Sequence, residues 1–194
     1  MHVGWQKIRA NIHTAIQVGK VIKKTQDLRV VHAESSDQIE RIKKQVEIWQ
    51  KLLAELREKN IQVVNSNKIA KAIGEFEGNN YKYLFVEDRE RNIQGIGVFC
   101  QAPWMQYKSV FQMNYLMTAP SNLVIKENEG KAIRGAGTLL VREMVRTALV
   151  SMYTRVEVVP YLSAIPFYER LGFEREALEY ILTQARVAKT WFKK

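Results

Sequence analysis

Residues 135–150 read GAGTLLVREMVRTALV. Ala136, Leu139, Leu140, Val145, Ala148 and Leu149 recur at helical spacing, and two glycines open the run. Glycine lowers helix stability by roughly 1 kcal/mol relative to alanine. Two of them in a first turn mean that something must approach the backbone there. That turn carries unpaired N–H groups and about half a unit of positive charge. A side chain at 135 or 137 would shield those groups, and without one phosphate oxygens can reach them. Arg134 and Lys131 add charge. The chemistry favoured is binding of a pyrophosphate; the alternative is that the glycines only permit close helix–sheet packing.

Two familiar phosphate patterns do not fit. A P-loop ends in Gly-Lys-Ser/Thr, whereas Gly137 is followed by Thr138 and Leu139. A dinucleotide fingerprint has a third glycine three positions on, soon after a first parallel strand. Here Leu140 stands at that position, late in the chain.

The rest of the chain supplies a mixed sheet. LRVVHA, 28–33, reads as a strand. Ser35 with Gln38 fits a capping box, and Ile39, Ile42, Val46, Trp49, Leu52, Leu53 and Leu56 continue at helical spacing to about Asn60. A shorter helix is expected over 67–77. YLFVEDRERNIQGIGVFC, 83–100, reads as a hairpin with its turn near Arg89 to Asn92. SVFQMNYLMT, 109–118, is a further strand, followed by a long polar connection to about Lys131. After the glycine helix come a β-branched strand, 155–159, and SAIPFYERLGF. There Ser163 can cap a helix, Pro166 suits its first turn and Gly172 its end. A last strand is expected over 177–182. Hairpins mixed with strand–helix–strand connections give an α/β (α+β) sheet, not a regular doubly wound one.

The two ends differ from the middle. Residues 5–24 form an amphipathic pattern with Trp5, Ile8, Ile12, Ala15, Ile16 and Ile22 near one face. This reads as an N-terminal arm over 1–27 before a domain over 28–194, and its apolar face suits packing on the domain or on a sister subunit. The formal charge is +10, and most of it sits at the ends. Lys7, Arg9, Lys20, Lys23 and Lys24 fall in the first 24 residues, and Arg186, Lys189, Lys193 and Lys194 in the last 15, both without an acid. Basic ends could hold nucleic acid or a phosphorylated ligand. No aromatic–basic interleaving marks an RNA surface, so nucleic acid is not the expected partner. The single cysteine, Cys100, excludes an internal disulfide and a Cys-based zinc site. It fits a reducing compartment, so a cytoplasmic location is expected. No apolar run approaches the roughly 18 residues of a membrane span.

Taken together, GAGTLLV at 135–141 and AIPFYERLGF at 164–173, with one strand between them, resemble the GNAT superfamily of acyl-CoA N-acyltransferases. The resemblance covers about residues 28–182 and implies a mostly antiparallel central sheet flanked by helices. It implies acetyl-CoA as cofactor and an amine as acceptor. The family's pyrophosphate loop, Arg/Gln-x-x-Gly-x-Gly/Ala, maps onto Ala132, Ile133, Arg134, Gly135, Ala136 and Gly137, with Thr138 following. Ala132 departs from the family's Arg/Gln, and Lys131 or Arg134 can supply the charge. Leu116, Met117 and Thr118 would pair with the pantetheine arm between two splayed strands. Ser163 and Phe167 would line the cofactor. Tyr168 matches the tyrosine that often protonates the departing thiolate. Tyr161 stands where the family often has Asn.

The base is open. Glu157 on the fifth strand and Glu87 on the second are candidates, and His32 lies on the first strand. Cys100 reads as a buried small residue, and no metal-ligand cluster exists in the sequence. The implied reaction is direct acetyl transfer to an amine of a small molecule, peptide or protein. The alternatives are a toxin-like enzyme acting on aminoacyl-tRNA and a non-enzymatic acyl-CoA-binding module.

Overall fold

The chain enters its sheet on β1 (Arg29–Ala33) and passes at once into α1 (Ser36–Glu58). The capping box forms as expected: the Gln38 N–H donates to Ser35 Oγ (3.3 Å), and the Ser35 N–H donates to Gln38 Oε1 (3.1 Å). β2 (Tyr81–Glu87) and β3 (Ile93–Gln101) form the hairpin. Asp88 organises its turn by accepting the N–H groups of Glu90 and Asn92. β4 (Val110–Thr118) leads into a 3-10 turn at Pro120–Asn122. α2 (Ala136–Val150), β5 (Arg155–Val158) and a short α3 (Ile165–Arg170) follow. The computed structural model describes residues 28–58, 81–101, 110–122, 133–176 and 179–183. The expected arm over 1–27, the helix over 67–77, Lys131, Ala132 and the basic C-terminal end lie outside the described residues.

The strand expected near 177–182 forms as β7 (Glu179–Thr183), and a further short strand, β6 (Glu174–Glu176), pairs with it as a hairpin. Gly172, at φ 90°, ends α3 so tightly that the chain re-enters the sheet by Glu174. Ser163 does not cap α3. It lies exposed in a 3-10 turn, Leu162–Ala164, and the residue before the helix is Ala164, without a side-chain cap. Pro166 does sit in the first turn.

The strands form one seven-stranded sheet in the order β1-β2-β3-β4-β5-β7-β6. Among the described residues only β4 and β5 run parallel. Each face has its own core. Ile42, Val46, Trp49 and Leu53 of α1 cover Tyr83, Phe85, Ile96, Val98 and Met117. On the other face Leu140, Val141, Met144, Val145 and Ala148 of α2 pack with Leu84, Val86, Phe99, Phe111, Met113, Val156, Val158, Tyr168 and Phe173. Gly95 and Gly97 of β3 lie under α2, where an added Cβ would come within 2.9 Å of Leu140 and 2.1 Å of Met144. Phe111 stacks on Phe99 with ring centroids 4.8 Å apart.

One irregularity interrupts β4. Val98 faces Tyr115 and Phe99 faces Met113, so Asn114 is an extra residue on β4. Such a bulge bends its strand and raises the local twist. Pairing of β4 with β5 ends at Met113↔Val158, while β4 continues to Thr118 alongside β3 alone.

Candidate active site

The site forms where the free part of β4 meets the start of α2. Gly135 precedes α2 at φ 101°, ψ −14°, a conformation that costs an L-residue with a side chain about 1–2 kcal/mol. The first intrahelical bond runs from the Leu139 N–H to the Gly135 carbonyl (2.9 Å). The N–H groups of Ala136, Gly137 and Thr138 therefore have no partner within the helix. Arg134 is exposed beside them.

Gly137 marks the junction of three elements. A Cβ built there would lie 3.5 Å from Phe167 of α3, 3.5 Å from Thr118 and 3.7 Å from Leu116 of β4. These are ordinary contacts, so packing tolerates a methyl but little more. The geometry brings Leu116, Thr118, Gly137 and Phe167 together. Ser163 stays exposed on its turn.

The glycine loop is tethered by residues that carry no local sequence pattern. Asn122 Oδ1 accepts the Ile133 N–H (2.8 Å), and Asn122 Nδ2 donates to Gln94 Oε1 (3.0 Å). Gln94 Nε2 in turn donates to Asp88 Oδ2 (2.8 Å). Gln94 is buried at a β3 bulge, opposite the step from Val86 to Glu87. A polar residue inside an apolar strand, with an Asn just past the next strand, was the available signal.

Tyr168 is buried on the α2 face, edge-on to Phe167 and Phe173. Burial pushes its hydroxyl up to about 12. Glu157 is buried too, but alternation along β5 puts it on the opposite face from Val156 and Val158. Arg155 Nε lies 2.5 Å from Glu157 Oε1, and the same guanidinium reaches Glu176 at 3.2 Å. Glu157 pairs in register with Gln112, one step before the β4–β5 ladder ends.

The other carboxylate candidate has a different task. Glu87 is buried between Arg41 (2.8 Å) and Arg29, with Arg91 at 4.0 Å. Burial alone would raise its pKa; the hydrogen bonds and charges of Arg41 and Arg29 outweigh it and hold the carboxyl below its usual range. Glu87 lies on β2, with β3 between it and the free part of β4, and it pins α1 and β1 to β2. His32 is likewise engaged, by Glu143 of α2 at 2.7 Å. Cys100 is buried with its thiol pushed up by burial, so it is no nucleophile. Among the described residues no His, Cys, Asp and Glu cluster could hold a metal ion, and no helix is long and apolar enough to cross a membrane.

No protein-family model matches the chain, and no curated protein matches it by sequence. Solved structures match it by fold. An acetyltransferase structure from an Exiguobacterium species superposes with a TM-score of 0.54 at 17% identity, covering 84% of this chain and 97% of that one. A GNAT-family acetyltransferase structure from Desulfovibrio desulfuricans gives 0.58 at 14% identity, covering 80% and 98%. A chimera of the spermidine N-acetyltransferase SpeG from Vibrio cholerae with hSSAT gives 0.51 at 14%, covering 84% and 98%. The chain thus has the fold of GNAT-family acetyltransferases, a mixed, mostly antiparallel sheet with helices on both faces.

Proposed function

We propose that the protein is an acetyl-CoA-dependent N-acetyltransferase that passes an acetyl group directly to an amine. The observation that carries this reading is the release of β4 from β5 after Met113, beside a helix that opens on Gly135 and Gly137. An unpaired strand edge offers N–H and C=O groups to an extended amide-bearing chain. A bare helix N-terminus offers N–H groups to phosphate. The two lie in contact here through Gly137, Leu116 and Thr118. The donor set therefore fits acetyl-CoA: Ala136, Gly137 and Thr138 for its pyrophosphate, Arg134 for charge, the β4 edge over Leu116–Thr118 for its arm, and Phe167 as a wall.

Bound there, acetyl-CoA supplies an activated acyl carbon and a thiolate leaving group. An N–H on the free β4 edge near Met117 would polarise the acyl oxygen. Tyr168 would donate its hydroxyl proton toward the leaving sulfur. A free thiol has a pKa near 8.5, so transfer from a group at about 12 to a solvated thiolate runs uphill by about 5 kcal/mol. A thiolate shut into the same apolar surroundings is raised as well, which brings the two groups toward a match. Glu157, on the other face at the closed end of the gap, is our candidate for taking the amine proton. Acid and base would then work from opposite sides of the sheet, through the opening between β4 and β5.

The test is calorimetric titration of the wild type and of Arg134→Glu with acetyl-CoA. Arg134 is exposed beside the helix start, so the new carboxylate repels phosphate without disturbing the packing. Binding by the wild type that is lost in the variant supports the site, and turnover with a panel of amines follows. A folded wild type that binds no acetyl-CoA would favour a non-enzymatic interaction module.

A further inference from the structure

The bulge that opens the gap also carries an unexplained polar atom. Asn114 Oδ1 is shut off from solvent and has no hydrogen-bond partner among the described residues. A buried amide oxygen left so costs about 1–3 kcal/mol, and native chains rarely keep one without a use. The other end of this side chain faces Cys100, where the Asn114 amide acts to lower the thiol's pKa against the larger, raising effect of burial. The thiol in turn is placed to donate to Gln112 Oε1 at 3.9 Å. Cys100 has one proton to give, so the direction of this chain is fixed. The Asn114 Nδ2 donates, and its Oδ1 faces away from Cys100.

The position of this oxygen is informative. Asn114 is the first residue of β4 beyond the last β4–β5 pair. It shares the Cys100 side of the sheet, opposite Tyr168 and α2, because Cys100 follows Ile96 and Val98 in alternation. Gly137 touches β4 at Leu116 and Thr118, two and four residues away. At about 3.4 Å per residue, Asn114 lies roughly 7–13 Å from the phosphate end. It is thus at the closed, reacting end of the gap, on the face where Glu157 stands.

We propose that the Asn114 side-chain carbonyl is a positioning group that receives an N–H hydrogen bond from a ligand in this gap, and that Cys100 holds it in orientation. The inference rests on the acetyltransferase reading. The shared chemistry is an N–H donor, which can come from the attacking amine or from an amide of the donor's arm; the location favours the amine.

The experiment compares wild type, Asn114→Leu, Cys100→Ala and Cys100→Ser by thermal melting, acetyl-CoA calorimetry and thiol release from acetyl-CoA with a panel of primary amines. Asn114→Leu removes both the unpaired buried oxygen and the amide's interaction with Cys100, which offset, so it is expected to melt near the wild-type temperature. It should cost about three- to tenfold in ligand use, the worth of one neutral hydrogen bond. Loss in thiol release at unchanged acetyl-CoA affinity assigns the N–H to the amine; loss in affinity assigns it to the donor. Cys100→Ala should lose part of the same effect, and Cys100→Ser, which can accept from Asn114 and donate to Gln112, should keep it. A lower melting temperature for Asn114→Leu overturns the proposal in favour of a structural role. Unchanged affinity and unchanged thiol release also overturn it, including the case in which the wild type releases no thiol. A wild type that binds no acetyl-CoA sinks the acetyltransferase reading itself, and this inference with it.

Discussion

Asn122 accepts the Ile133 N–H at 2.8 Å, and this bond ties the glycine loop to the turn that ends β4. The two halves of the candidate cofactor site, strand edge and helix terminus, are thereby held at a fixed distance. Asn122→Ala removes that acceptor and also the donor to Gln94 Oε1. Stability should fall by about 1–2 kcal/mol. Acetyl-CoA affinity should fall at a temperature where the variant is still fully folded. Calorimetry on that folded population makes the check, and wild-type affinity there would mean that the loop is held by other contacts.

This tether also shows where a sequence stops being legible. The two glycines, the capping box at Ser35 and Gln38, the hairpin and the order of the described elements from β1 to α3 were legible, because each is a local pattern with a local cause. The grouping of Leu116, Thr118, Gly137 and Phe167 came with the family resemblance. The chain Asp88–Gln94–Asn122–Ile133 was not legible, since it joins a turn, a bulge, a 3-10 turn and a loop that meet only in the fold. The bulge at Asn114 was hidden for a related reason: one extra residue alters pairing with β3 without disturbing the apolar run. Glu87 and Glu157 looked alike as single acids in apolar strands. Both are paired with arginine, and only their places in the sheet separate them: Glu87 is tied to β1 and α1, and Glu157 stands beside the gap.

The two loop glycines should respond differently to alanine. Gly135→Ala forces a side chain into left-handed geometry and should cost about 1–2 kcal/mol. Gly137→Ala meets only ordinary contacts and gains helix propensity, so it should be neutral or stabilising by up to about 1 kcal/mol. Its methyl would nonetheless fill space beside Thr118 and Phe167, and acetyl-CoA affinity should drop. Chemical denaturation paired with calorimetry tests both. A Gly137→Ala protein with unchanged affinity would show that glycine at 137 serves the helix–sheet packing alone.

Glu87 should shape the acid limb of the stability curve. Its folded pKa is depressed, so its stabilisation is present above the unfolded value near 4.3 and lost as pH falls through the folded one. Glu87→Gln should lower stability at neutral pH by about 1–3 kcal/mol and flatten the loss below about pH 4. Some acid sensitivity should remain, because Glu143 is also held low: burial opposes this, and the hydrogen bonds from Arg146 and His32 outweigh it. Denaturant melts from pH 2 to 7 measure this, and parallel curves for the two proteins would contradict it.

Tyr168 gives the opposite pH signature. Its folded pKa is raised by burial to about 12, against about 10 in the unfolded chain. The stabilisation is therefore complete below about pH 10 and is lost as pH rises through about 12. Two units correspond to about 3 kcal/mol at the alkaline limit. Tyr168→Phe keeps the ring against Phe167 and Phe173 and should remove this part of the alkaline loss. If Tyr168 also donates to the leaving sulfur, the variant should keep acetyl-CoA affinity and lose about 10²–10⁴-fold in kcat with any amine that the wild type accepts. The wild-type rate should show no falling limb from this group below about pH 11. Alkaline melts, phenolate absorbance and a pH–rate profile separate the two roles: a changed melt with an unchanged rate would leave Tyr168 as a core residue and nothing more.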